Sequence, residues 1–281
     1  MDQESLDALG SAVGRQVLIR RSAQRLALYT VAQHIDAPGR AAHVGTIGLT
    51  RLEDATGEPP ATLRATVETA FTGGDSHAPV RLTEQLLGKG ATGLAVLAPH
   101  GGRIEVGTDD QATMVFQAFA RSGKPVRAWI ARGFNPTRGA HRCWHVTASE
   151  ISEQSFPRLR SLFDPDAARG AFAHAVAFHG QNDREAIIVG GGLPGDAEHT
   201  ALKMSLRSHV RDALQAVMTD PPDVVVMHSG PLAGVEPANI VNRVTAAGNG
   251  IQLEQPAAVR TVKERRDAIA QAVAAFYVDL I

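Results

Sequence analysis

Three apolar runs of the sequence end in a residue able to bind a metal or move a proton: LAVLAP runs into His100 and Gly101, HAVAF into His179 and Gly180, and GIQL into Glu254. Each run is short enough to be a buried strand. In open α/β sheets ligands bind beyond the carboxyl ends of strands, so groups far apart in sequence can meet there in one cleft. Glycine after each histidine lets the backbone turn sharply and leaves room for an ion or substrate. Glu105 follows His100 across the glycine-rich turn HGGRIE, where both side chains can grip one cation. Two histidines with one carboxylate are a known catalytic zinc set, with a further position kept for water. His100, Glu105 and His179 supply it, so zinc (Zn2+) is the expected cofactor. Glu254 is the expected group for handling protons.

Such side chains need a buried sheet to carry them. GLAVLAP (93–99), VRAWIA (126–131), HAVAF (174–178), AIIVG (186–190), DVVVM (223–227) and GIQLE (250–254) read as its strands. Between them, TDDQATMVFQAFARSG and DAEHTALKMSLRSHVRDALQAVM carry apolar residues at helical spacing, and VKERRDAIAQAVAAFYVDL closes the sequence as an amphipathic helix. This alternation predicts an α/β fold, a mostly parallel or mixed sheet flanked by helices. Ahead of it, residues 16–71 read as short strands: RLALYTV alternates its bulky side chains, and Leu63, Ala65, Val67, Thr69 and Phe71 share one face. TGGDSHAP (72–79) is a turn-rich junction. We therefore expect a small β-rich domain over 1–74 and an α/β domain carrying the metal-binding and acid–base residues over 75–281.

The composition narrows the partners. The 281 residues are 44% hydrophobic, enough for a substantial core, and 28 Lys plus Arg against 29 Asp plus Glu give a formal charge of −1. Nothing attracts nucleic acid or an anionic membrane globally, so an acidic substrate must be held locally. No apolar stretch reaches the ~18 residues of a membrane helix, and the acidic opening MDQESLDALG lacks the basic region of a secretory signal. A cytoplasmic location, or release by lysis, is expected. Cys143 is the single cysteine, which excludes an internal disulfide and a thiolate-rich zinc site.

LAVLAPHGGRIEVGTDDQA, ARGFNPTRGAHRCWHVTASEI, AVAFHG and GVEPANIVNRVTAAGNGIQLEQPAAVR, in that order over roughly residues 80–260, resemble the poly-γ-glutamate hydrolase family, also described as phage-related replication proteins. The resemblance implies a zinc peptidase with a carboxypeptidase-like α/β core, cleaving γ-linked glutamyl amide bonds in the phage enzymes. It implies metal ligation by His100 and Glu105 in HGGxIE and by His179 in FHG, with Glu254 in QLE as the general base. It points to Arg243 in NIVNR as the holder of a substrate carboxylate through a bidentate fork. Arg260, closing the QLExxxxxR segment, is the second choice, and His145 in WHVTAS is a further substrate contact. The implied substrate is a peptide or glutamyl polymer, and neither nucleic acid nor membrane is an expected partner. The best-known members are compact phage enzymes, so the residues in front of the shared core are an addition here, able to occlude the cleft, wall it for specificity or mediate association.

Other readings compete at particular residues. VVVMHSG places His228 after another apolar run, as an alternative ligand to His179. His174, His199 and His209 read as exposed or partly buried residues of strand edges and helices. In IIVGGGLPGDAEH, Gly190, Gly192 and Gly195 match the dinucleotide-binding pattern G-x-G-x-x-G, which makes nucleotide binding an alternative function. Pro194 removes an amide where a phosphate needs donors, so a turn bordering the cleft is expected instead. A member that binds without turnover is a further alternative, opposed by the presence of all four chemical positions.

Overall fold

The structure is a computed structural model that describes residues 1–281 except 37–40, 53–64, 70–76, 91, 165–168 and 194. It opens with α1 (Gln3–Leu9), whose first turn is capped by the Asp2 carboxylate accepting from the Ser5 amide at 2.9 Å. Then come β1 (Gln16–Arg20), β2 (Leu26–Thr30), α2 (Thr46–Leu49) and β3 (Thr66–Thr69). These strands make an antiparallel sheet in the order β2-β1-β3. Leu63, Phe71 and the expected boundary between residues 74 and 75 lie outside the described residues.

The larger part contains β4 (Arg81–Leu87), β5 (Leu94–Gly102), α3 (Thr108–Ser122), β6 (Val126–Phe134), α4 (Ala140–Trp144), α5 (Pro157–Arg160), β7 (His174–Gln181), β8 (Ile187–Gly190) and α6 (Ala197–Gln215). It closes with β9 (Val224–Val226), α7 (Ile240–Arg243), β10 (Ile251–Pro256), α8 (Ala257–Arg260) and α9 (Lys263–Leu280). Its seven strands form one mixed sheet in the order β4-β6-β5-β7-β10-β8-β9. The expected α/β architecture is present, with β6, β5, β7 and β10 running parallel through the middle. β4 pairs antiparallel with β6 and β8 with β10. The sequence reading did not identify β4, because RLTEQLL is half-buried throughout and shows no apolar run.

Central strands are covered on both faces, which is why they read as nearly continuous apolar segments. On one face Leu94, Val96, Val176 and Phe178 pack beneath α3, α6 and α9. On the other, Leu97, Trp129 and Ala177 meet Trp144, Phe156 and Val241. Leu18, Leu26 and Leu28 from the N-terminal sheet enter that same cluster, so the two sheets share buried apolar surface. Polar contacts reinforce the junction: Gln16 Nε2 donates to the Glu150 carbonyl at 2.6 Å, and the Ser152 amide donates to Gln16 Oε1 at 2.9 Å. No described helix is long and apolar enough to cross a membrane.

Candidate active site

Strand order brings the chemistry together. β5, β7 and β10 are neighbours, and their carboxyl ends carry His100, His179 and Glu254. Ala175 and Ala177 face the cluster opposite the helices, so period-two alternation sends His179 to that side as well. Glu254 pairs in register with His179 across parallel strands, which puts their side chains on one face. The pairing of β5 with β6 shifts between Ala98 and Gly101, and this irregularity sits around His100. Glu105 lies in the turn between β5 and α3, where its own amide donates to the His100 carbonyl at 2.8 Å.

Donor atoms converge closely. His100 Nδ1 is 2.9 Å from Glu105 Oε1 and 3.3 Å from His179 Nδ1, and His179 Nδ1 is 3.8 Å from Glu105 Oε2. Zinc ligands about 2.0–2.1 Å from the ion imply tetrahedral donor separations of about 3.3 Å, so this set fits a small divalent cation. The other nitrogen of His100, Nε2, lies 2.8 Å from the Val146 carbonyl, an outer contact of the kind that orients a metal-bound imidazole. The Gly180 amide donates to Glu105 Oε2 at 2.8 Å. His145 is a nearby competitor: its ring nitrogen, His100 and Glu105 offer donors all within 4.8 Å of one another. The His179 side chain is 3% exposed, and its Nε2 is buried without a partner among the described residues. His145, at 31% exposure, stacks on His141 with ring centroids 4.3 Å apart.

Electrostatics follow from burial and mutual charge. Burial alone would raise the Glu105 carboxyl, but His100, His179 and His145 bring it down to about 2. Burial pulls the His100 imidazole down, and the adjacent Glu105 carboxylate more than offsets this, leaving it raised. Burial holds His179 at about 4, and burial with the charge of His100 holds His145 at about 2. Both imidazoles are therefore neutral and available as donors or ligands at pH 7. Glu254 is held well above the usual carboxylate range by burial and by Glu105, with Arg260 opposing the shift.

These groups open onto a cavity of about 490 Å³ whose lining includes His100, Glu105, His145, His179, Glu254 and Arg260. Arg260 is 7% exposed and donates from Nη1 to the Val106 carbonyl at 2.9 Å. It fits there because residue 180 is glycine, since a Cβ at that position would come within 2.3 Å of Arg260 Nε. Arg243 is placed differently from expectation. Its guanidinium pairs with Glu153, donates to the Ile151 carbonyl at 3.1 Å and lies over the Phe163 ring, so it does not line the cleft. A short α7 turns it toward the segment 151–163, whereas the spacing of NIVNR shows only that an arginine is close in sequence.

Two polar residues escaped the sequence reading. Gln252 stands two positions before Glu254 on β10, hence on the same face, and donates to Glu254 Oε1 at 3.1 Å. Its own Oε1 accepts from Asn239 Nδ2 at 2.9 Å. The i, i+2 spacing in QLE was the available signal. His141, four residues before His145, likewise lines the cleft from α4.

The competing histidines lie elsewhere. His228 is exposed, 3.5 Å from Lys203 Nζ, and does not line the cleft. His199 is more buried than expected, at 4% exposure in the first turn of α6 against Gly192. No described residue of the Gly190–Gly195 loop lines the cleft, and two of its amides are engaged. The Gly191 N–H donates to the Ala233 carbonyl at 2.6 Å and the Gly192 N–H to Asn242 Oδ1 at 2.9 Å. Asp196 caps the following helix, putting a negative charge where a phosphate would have to sit. Pro194 lies outside the described residues.

The model of the family described as poly-gamma-glutamate hydrolase matches residues 83–275. The chain belongs to this family. Membership places it among hydrolases of amide bonds. Comparison with the curated proteins found no match. Among solved structures, a bacteriophage poly-gamma-glutamate hydrolase is similar at TM-score 0.55 and 22% identity, covering 73% of this chain and 92% of its own. The zinc-free apo form of YndL is similar at TM-score 0.51 and 19% identity, covering 70% and 90%. A metallo-carboxypeptidase from Burkholderia cenocepacia shows TM-score 0.42 at 12% identity, covering 73% and 66%. The family segment spans all the residues of the cleft named above from the α/β sheet, and it begins after the N-terminal sheet.

Proposed function

We propose that the cleft is the active site of a zinc-dependent amidohydrolase that cleaves peptide-type amide bonds, with γ-glutamyl linkages as the substrate class. The observation that carries this reading is the meeting of His100, Glu105 and His179 with donor atoms 2.9–3.8 Å apart beside a buried carboxyl group, Glu254. His100, Glu105 and His179 would hold the metal. Zinc bound there supplies Lewis-acid polarisation of a carbonyl and a water acidic enough to attack at neutral pH. That one solved relative is described as a zinc-free form supports this choice of metal.

The protein's own groups do the rest. Glu254 accepts the proton of the attacking water and delivers it to the leaving amine, and its burial beside Glu105 strengthens its hold on that proton. Gln252, anchored by Asn239, holds the Glu254 carboxylate in one orientation. Arg260 is the arginine in place to hold a substrate carboxylate, and it takes the role that the sequence suggested first for Arg243. His145 contacts the substrate from the cleft wall.

Hydrolysis of defined γ-glutamyl oligomers and of ordinary peptides, with and without a chelator, tests this. Amine release that a chelator abolishes and added zinc restores is expected. Turnover indifferent to chelator would overturn the metal assignment, and binding without any turnover would favour an inert binding member of the family.

A further inference from the structure

The last carbonyls of a helix have no partner inside it and must find donors elsewhere. For α4 the donor comes from in front of the family segment. Arg51, which follows α2, donates from Nε to the Arg142 carbonyl at 2.7 Å and from Nη2 to the carbonyls of Cys143 and His145 at 3.2 and 3.1 Å. Its Nη1 donates to the Leu28 carbonyl of β2 at 2.8 Å, and the guanidinium lies over the Tyr29 ring, 4.9 Å from its centroid. One planar group is thus fixed to β2 and caps the end of α4. Contacts also run the other way: Arg138 Nη1 donates to the Leu52 carbonyl at 3.2 Å, and the Arg142 guanidinium to the Thr50 carbonyl.

The capped end of α4 leads into the cleft. The His145 ring centroid is 4.3 Å from that of His141 and 4.3 Å from that of His100. The next carbonyl, that of Val146, lies 2.8 Å from His100 Nε2. A carbonyl only accepts, so Nε2 carries the proton and Nδ1 is left facing Glu105 and His179. From the Arg51 guanidinium to the His100 ring the path is one hydrogen bond, one residue of main chain and one further hydrogen bond.

We propose that Arg51 is a positioning residue of the active site, through which the N-terminal unit fixes His145 and the Val146 carbonyl and so sets the orientation of His100. The proposal rests on reading the cleft as that of a metal-dependent hydrolase. Lysine cannot take the place of Arg51, because a single ammonium lacks the rigid fork that spans α4 and β2 together. A cavity of about 630 Å³, lined by Arg51 and by Leu28, Tyr29 and Thr30 of β2, has His141 and His145 in common with the cleft. A small guanidine in solution can therefore enter the space that the Arg51 side chain leaves.

The test compares Arg51→Ala with Gln16→Ala in the full-length protein. Gln16 joins the same two sheets at Glu150 and Ser152, outside α4, so its loss reports the stability of the junction alone. Both variants should melt at lower temperature. Only Arg51→Ala should bind zinc more weakly, about ten-fold by chelator competition, the lower end of what residues orienting a metal ligand contribute. In the metal-free protein, only Arg51→Ala should lose the NMR signal of the hydrogen-bonded His100 Nε2 proton. Millimolar ethylguanidine should restore zinc affinity to Arg51→Ala, and ethylammonium should not. Arg51→Lys, with the same expected loss of zinc affinity, decides if Arg51→Ala does not fold. Wild-type zinc affinity in the Arg51 variants, or equal losses in Gln16→Ala, overturns the positioning role and leaves the hydrolase reading intact. A wild-type protein that neither binds zinc nor cleaves amides overturns that reading and the proposal with it.

Discussion

Glu254 stands directly across from His179 in the register of β10 against β7. Backbone pairing, rather than a loop, therefore fixes the distance between the proposed base and a proposed metal ligand. The two roles should separate on substitution. Glu254→Gln is expected to keep full zinc content while kcat falls by about 10²–10⁴. Metal analysis alongside steady-state kinetics checks this, and parallel loss of zinc would make Glu254 a ligand or its support.

His100→Ala and His179→Ala should each lose zinc on dialysis before the fold is affected, measured as metal per chain and melting temperature. His145→Ala is the decisive companion. If His179 is the third ligand, His145→Ala retains stoichiometric zinc and changes KM. The opposite pattern would give the ligand position to His145.

Arg260 and Arg243 should behave differently, because only Arg260 lines the cleft. A lost hydrogen bond to a charged group costs about 1.5–3 kcal/mol, so Arg260→Ala should raise KM for acidic substrates about ten- to hundred-fold, with a smaller effect on neutral peptides. Arg243→Ala should leave that ratio unchanged and lower the melting temperature instead. A selective loss of acidic substrates in Arg243→Ala would refute this division.

The Arg243–Glu153 pair also predicts how stability depends on pH. Burial would raise the Glu153 carboxyl, but the Arg243 hydrogen bond and charge bring it below its ordinary value. A depressed folded-state pKa means that the stabilisation is present above the unfolded carboxylate pKa and is lost as pH falls through the folded one. Both partners are partly exposed and screened by solvent, so the contribution is about 1 kcal/mol at pH 7. Glu153→Gln should therefore unfold at lower denaturant than wild type at pH 7, and the two should converge as the acid limb is reached. A constant difference across that range would contradict the ion pair as the source.

Much of this was legible in the primary structure because strands of a buried sheet must be apolar, and a polar residue ending such a strand is conspicuous. LAVLAP, HAVAF and GIQLE each became a central strand, and their terminal His100, His179 and Glu254 reached one cleft. β4 was invisible for the same reason, since an edge strand with one half-covered face has no need of an apolar run. The short N-terminal α1 was missed too, with the Asp2 cap as its only local signal.

By itself, then, the amino-acid order determined the α/β class, most of the strands and the chemical types brought to the cleft, because hydrophobic periodicity and glycine-flanked turns are local properties. Which arginine faces the cleft, which second histidine crowds Glu105, and that an N-terminal sheet walls a neighbouring cavity were decided by tertiary structure alone. Arg243 and Arg260 both follow family-like motifs, but a side chain's direction depends on what packs around it: Glu153 and Phe163 draw one away, and the missing Cβ of Gly180 admits the other.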